Sequence, residues 1–197
     1  QKIYTLTDNQ IKRLFAMVDK TSYAGYRDYV AMLVMLKCGL RINEINALEI
    51  DDVDFDNGVI LLPGRKNKNR KSRVIPMSKK VQNELAQLVT ETGEYFEGLG
   101  TSVFVNSFGD PLNPDHIRKR MNYYGKEASL TKECRCSPHS LRHTFAVNFL
   151  KNGGDIRTLS LILGHSDLST TQVYLSYSDT HVVEQYMKAS NNDNLEV

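Results

Sequence analysis

Six side chains with the chemistry to handle an anionic ester lie in four short, polar segments of the chain. They are Arg41 in GLRINEI, Lys66 in GRKNKNRKSR, His139 and Arg142 in PHSLRHTF, and His165 and Tyr174 in LGHSDLSTTQVYL. A guanidinium is a planar fork of N–H donors that fits two oxygens of one phosphate, a geometry that a lysine ammonium lacks. A tyrosine phenol, with an ordinary pKa of about 10, becomes a nucleophile where guanidinium charge favours phenolate and a base lies within hydrogen-bond reach. Histidines suit that proton traffic, and a lysine can protonate an alkoxide as it leaves. Neutralised oxygens, a nucleophile and a proton donor are the three demands of breaking and remaking a phosphodiester.

Each residue also has an ordinary reading. Arg142 follows His139 by three positions, so on a helix starting at Pro138 the two share a face. They equally suit a helix-start histidine and an arginine capping a neighbouring helix. Arg41 after Gly-Leu is the kind of arginine that often holds structure together, and Glu44 either orients Arg41 or a histidine or sits on a helix surface. Tyr174 taken alone reads as half-buried core. Its spacing adds the other possibility: His165 ends the LILGH turn nine residues earlier, so a loop and helix can fold both around one atom.

Positioning these groups falls mainly to helices. Thr7 and Gln10 make a capping box for a helix through about Asp19, with Ile11, Leu14, Phe15 and Val18 on its apolar face. A strongly apolar helix from about Tyr26 to Leu36 ends near Gly39, which puts Arg41 just past a helix terminus and Glu44 and Ile45 on a short helix after it. Asp56-Asn57-Gly58 is a turn, Val59 to Leu62 a strand, and Arg73 to Ile75 its partner across a basic tip. Helical patterns return at Lys79 to Thr90, Pro114 to Ala128, Pro138 to Lys151, Asp155 to Leu163 and Ser169 to Leu175. A last helical segment, Thr180 to Ala189, carries Val182, Val183, Tyr186 and Met187 on one side. The class is therefore α+β, mainly helical with a small antiparallel sheet.

At 197 residues, 41% apolar and 24% charged, the chain has the size and composition of one domain with one core. Net charge is only +2, so the distribution of charge carries more information than its sum. Asp51, Asp52, Asp54 and Asp56 form an acidic run, whereas Arg65 to Lys80 holds eight basic residues and no acid. A solvated hairpin and a polyanion-binding hairpin both fit that run. Cys38, Cys134 and Cys136 are odd in number and widely split, which points to a reducing compartment. Cys134-Arg135-Cys136 near His139 lacks the paired spacing of a structural zinc site, so no metal is expected. No run of 18 apolar residues and no signal-peptide pattern occurs, which leaves the cytoplasm as the expected location. A chain beginning at Gln1 reads as a piece of something longer.

In this order, GLRxxEI, a basic hairpin lysine, HSLRHTFA and LGHSxxxTTQxYL resemble the catalytic domain of the tyrosine recombinases, also called the phage integrase family. The resemblance covers nearly the whole chain, including the Arg142 to His165 and His165 to Tyr174 intervals. It implies a mainly helical catalytic domain over residues 1–190 with a short tail at 191–197. It also implies double-stranded DNA as partner, no cofactor, and bacterial or phage-encoded action at the nucleoid on mobile DNA. The tyrosine attacks the scissile phosphate to give a 3′-phosphotyrosine and a free 5′-hydroxyl, and a partner strand's hydroxyl reverses the step.

Carried onto this sequence, the resemblance makes Arg41 and Arg142 the phosphate clamp, His139 the acid/base for the tyrosine proton, His165 a phosphate hydrogen-bonder and Tyr174 the nucleophile. Glu44 is expected to orient its neighbours. The leaving-group lysine stays open: strand spacing favours Lys66, counting back from Pro76 favours Lys68, and an ungapped comparison places Arg65 there. Lys68, Arg70, Lys71, Arg73 and Lys119 are expected on the DNA backbone. The family's N-terminal core-binding domain has no counterpart in this chain, so weak DNA binding and a monomer are expected of it, with a tetramer on DNA for the full-length protein. The final helix resembles the segment that packs on a neighbouring protomer, and packing in cis stays equally open. Two other functions fit parts of the pattern: a type IB topoisomerase, and a non-catalytic helix-turn-helix reader spanning Asp155 to Leu175.

Overall fold

The computed structural model describes residues 2–66, 71–98, 100–165, 171–174 and 181–195. Helix α1 (Asp8–Ala16) opens with the expected capping box: the Gln10 N–H donates to Thr7 Oγ1 at 3.2 Å and the Thr7 N–H to Gln10 Oε1 at 3.0 Å. It stops at Ala16, short of the Asp19 read from the sequence. Helix α2 (Tyr23–Cys38) starts earlier than expected because Ser22 Oγ accepts the Gly25 N–H. It is buried on nearly every face, packs against both α4 (Lys79–Tyr95) and α6 (Pro138–Lys151), and is apolar all round for that reason.

Gly39 ends α2 in the left-handed region at φ 74°. A side chain there would meet the Phe145 ring at 2.5 Å, so glycine is required on both counts. The chain then turns into α3 (Ile42–Ala47), with Arg41 as its first flanking residue. Three antiparallel strands follow in the order β1 (Val53–Asp54), β2 (Val59–Leu62) and β3 (Arg73–Pro76), with Leu62 opposite Arg73 and Ile60 opposite Ile75. Side chains alternate across this ribbon, so Ile60, Leu62, Ile75 and Arg73 face inward while Leu61 and Val74 face out.

Helix α4 runs past the expected Thr90 to Tyr95, since Thr92 is buried and back-bonds to the Leu88 carbonyl. Then come α5 (Pro114–Glu127), α6 and α7 (Ile156–Leu163), each opened by a side-chain cap, from Asn113, Ser137 and Asp155 respectively. Residues 171–174 form one helical turn, the described part of the helix expected at Ser169 to Leu175. The last helix, α8 (His181–Asn191), begins and ends close to the expected Thr180 and Ala189. Cys38, Cys134 and Cys136 are free thiols. Among the described residues no helix is long and apolar enough to cross a membrane.

Candidate active site

Two helix C-termini build the floor of the site. The last carbonyls of a helix have no partner within it and carry partial negative charge, so they attract cations. Arg142, on the inward face of α6 and only 4% exposed, donates to the Gly39 carbonyl at the end of α2 and, at 2.9 Å, to the Leu163 carbonyl at the end of α7. Arg41 donates to the same Leu163 oxygen at 3.3 Å. Burial, reinforced by the charge of Arg41, pushes the Arg142 guanidinium down to about 9. Arg41 is lowered as well, first by burial, with Glu44 pulling the other way.

Glu44 lies beneath this pair and is 1% exposed. Its Oε1 accepts the Arg41 backbone N–H at 2.8 Å, and its Oε2 is 3.6 Å from Arg41 Nη1. Burial by itself would raise the Glu44 carboxyl, but the hydrogen bonds and charge of Arg73 outweigh it and leave the group below the ordinary range. Arg73 overturns its expected place on the DNA backbone. It is 9% exposed, grips both carboxylate oxygens of Glu44, one of them at 2.7 Å, and donates from Nε to the Ile162 carbonyl at 3.0 Å. Its inward strand position is the cause.

Gly164, at φ 71°, caps α7 and turns the chain so that His165 faces the arginines. His165 Nε2 lies 3.5 Å from Arg142 Nη2, and Nδ1 lies 2.6 Å from Thr171 Oγ1. An arginine only donates, so the network assigns Nε2 as acceptor and the proton to Nδ1. Burial, then Arg142 and Arg41, lower His165 to about 4, consistent with a neutral ring.

Tyr174 is 4% exposed, yet it stands within the electrostatic reach of both arginines. Burial raises its phenol, and Arg142 and Arg41 oppose that shift. Its ring meets His143 edge-on, with centroids 5.7 Å apart, and His143 in turn lies 6.3 Å from the ring of His139. His139 is exposed at the start of α6 and is lowered by partial burial and by Arg142, Arg118 and Arg41. Thus Arg41, Glu44, His139, Arg142, His165 and Tyr174 are brought together.

Lys66 is not. The short 3-10 turn Gly64–Lys66 carries it to the acidic segment, where its side chain is 10% exposed and its ammonium is bonded to Glu49 Oε2 and Asp52 Oδ2. Lys68 and Arg70 lie outside the described residues. Lys71 and Lys119 are exposed. Lys119 lines a cavity of about 660 Å³ with Arg118, Asn122, Lys132, Arg135 and Ser137, a basic hollow that lies between α5 and the approach to His139.

Three members escaped the sequence reading. The period-2 alternation with Ile75 placed Arg73 inside, a signal present but outweighed by the surrounding basic run. His143 is four residues after His139, so helical spacing puts the rings on one face. Nothing local marks Thr171.

The geometry agrees with the similarities of the chain. Residues 4–181 match the phage integrase family. Among curated proteins, the chain is 32% identical over 162 residues to the tyrosine recombinase XerC of Chlamydia caviae, covering 82% of this chain and 50% of that protein. It is 35% identical over 160 residues to XerD of Staphylococcus haemolyticus, covering 80% and 52%. The chain thus spans about half the length of the curated relatives it matches. Among solved structures, XerA recombinase superposes with TM-score 0.77 at 27% identity over 99% of this chain and 67% of that one. The catalytic domain of bacteriophage HP1 integrase superposes with TM-score 0.68 at 23% identity over the full length of both, a likeness of fold. With two arginines, a histidine and a tyrosine gathered in one site, and with nearly all of its length matched, the chain belongs to the phage integrase family.

Proposed function

We propose that residues 1–190 are the catalytic half of a site-specific DNA recombinase that integrates or excises mobile DNA in a bacterial cytoplasm. The observation that carries this reading is the convergence of Arg41 and Arg142 on one oxygen position, with His165 and the Tyr174 ring beside it. Arg41 and Arg142 hold the non-bridging oxygens of the scissile phosphate, and His165 adds a hydrogen bond from Nε2 after its ring changes tautomer, with Nδ1 then accepting from the Thr171 hydroxyl. The Tyr174 oxygen attacks phosphorus, its proton passing to His139, and the bond from phosphorus to the 5′ oxygen breaks as that oxygen takes a proton from a lysine. The product is a 3′-phosphotyrosine and a 5′-hydroxyl. Attack by a second strand's 5′-hydroxyl reverses each transfer, so the bond energy is conserved and neither metal nor nucleotide is consumed.

The lysine role falls to Lys68, because two carboxylates occupy the Lys66 ammonium. Double-stranded DNA lies over Lys71 and the cavity around Arg118, Lys119, Lys132 and Arg135, where four basic side chains face the single acid Glu133, a balance that suits phosphates. Helix α8 leaves Val183, Tyr186 and Met187 exposed, an apolar stripe that supports docking on a neighbouring protomer in a tetramer on DNA.

The test is incubation with a nicked suicide duplex. A covalent protein–DNA adduct that survives denaturation, forms in the presence of chelator and is lost in Tyr174→Phe is the expected result. No adduct from the unmodified protein would overturn strand transfer and leave a DNA reader.

A further inference from the structure

We propose that Arg73 is a positioning residue that keeps Arg41 chemically free by competing with it for Glu44, an inference that rests on the strand-transfer reading above. Glu44 is three residues after Arg41 on the same short helix, the spacing at which a carboxylate and a guanidinium ordinarily pair. Had they paired through the fork, the charge that should meet phosphate would be spent on a buried carboxylate. The geometry shows otherwise. Arg73 takes both Glu44 oxygens, while Arg41 Nη1 stands off at 3.6 Å. Arg41 keeps the backbone tie of its N–H to Oε1, which fixes where the residue starts, while Nη1 is held loosely, by the 3.6 Å ion pair and the 3.3 Å contact with the Leu163 carbonyl.

Arg73 reaches the other half of the clamp too. Its Nε holds the Ile162 carbonyl, one residue before the Leu163 oxygen shared by Arg41 and Arg142. It also lies across Gly164, where a side chain would come within 2.8 Å of Arg73 Cδ and 2.9 Å of Nη1. One guanidinium on β3 thus fastens the start of α3, which carries Arg41, to the end of α7, which aims His165. Arg41, Arg73 and Arg142 share a single buried carboxylate, and the surplus positive charge suits an arriving phosphodiester with a developing phenolate.

The test compares Arg73→Gln, Glu44→Gln and the double variant in single-turnover adduct formation at saturating nicked duplex, with the dissociation constant measured in parallel. In Arg73→Gln, Glu44 closes on Arg41. The rate is expected to fall about a hundredfold, as for a misplaced reacting group, with affinity changed less than about twofold. Adding Glu44→Gln removes the competing carboxylate and is expected to return about tenfold of the lost rate, a rescue that a purely structural role would not produce. Weakened affinity with a reduced salt dependence and an unchanged saturating rate would make Arg73 a DNA contact and overturn the proposal. So would a double variant no faster than Arg73→Gln. If Arg73→Gln does not fold, Arg73→Lys carries the test, since it keeps the charge and loses the two-pronged grip. Should the unmodified protein form no adduct, strand transfer fails by itself. The positioning role is then judged by the Arg41 Nε–H resonance in ¹⁵N-labelled protein, which is expected to shift in Arg73→Lys and overturns the role if unchanged.

Discussion

Arg41 and Arg142 point at one oxygen, the Leu163 carbonyl, from 3.3 and 2.9 Å. Two like charges held on one atom are costly, Arg142 being lowered first by burial and then by Arg41, and an anion entering between them relieves the repulsive part. Inorganic phosphate or sulfate is therefore expected to raise the melting temperature of the unmodified protein in a saturable way. Arg142→Leu should abolish that increment. It should also slow adduct formation by about 10²–10³-fold, the usual loss for one preorganised transition-state contact. An anion-dependent increment that survives in Arg142→Leu would place the anion elsewhere.

Tyr174→Phe deletes one oxygen from a ring that stays packed in the core and against His143. Adduct formation should vanish, while duplex affinity stays within about twofold, because backbone phosphate contacts elsewhere carry affinity. Residual adduct in Tyr174→Phe, mapped by peptide sequencing, would identify another nucleophile.

Much of this site could be read from the chain because its parts are local. Gly39, Pro138 and Gly164 fix helix ends, and each functional residue sits at a set distance from one of them. What could not be read depends on pairing across the fold. Lys66 and the acids Glu49 and Asp52 are 17 and 14 residues apart, and nothing in a basic run announces that one lysine turns back to an acidic one. Arg73 and Glu44 are 29 apart, and only the strand register decides whether an arginine there faces solvent or the core.

His143 and His165 are both pushed to about 4, first by burial and then by neighbouring positive charge. Folded values below the ordinary 6.5 mean that the unfolded chain binds protons more readily. The neutral rings therefore contribute full stability above pH of about 6.5, and that contribution is lost as pH falls towards 4. Urea unfolding midpoints should drop steadily across this window. In His143→Phe, which keeps the ring against Tyr174 without the titrating nitrogen, the drop should be shallower. The same slope in both proteins would show that His143 does not titrate on unfolding.

Lys66 and Lys68 can be told apart by leaving-group chemistry. With its ammonium bonded to Glu49 and Asp52, Lys66 is expected to act on stability: Lys66→Met strands two carboxylates beside each other and should lower the melting temperature, yet leave adduct formation within a few fold. Lys68→Met should instead slow cleavage by about 10²–10⁴-fold, the range for loss of a general acid. A duplex with sulfur replacing the bridging 5′ oxygen supplies a leaving group that departs without a proton, so it should restore cleavage in Lys68→Met and change little in Lys66→Met. Rescue of Lys66→Met alone would return the acid role to Lys66, and would require that ammonium to leave both carboxylates when DNA arrives.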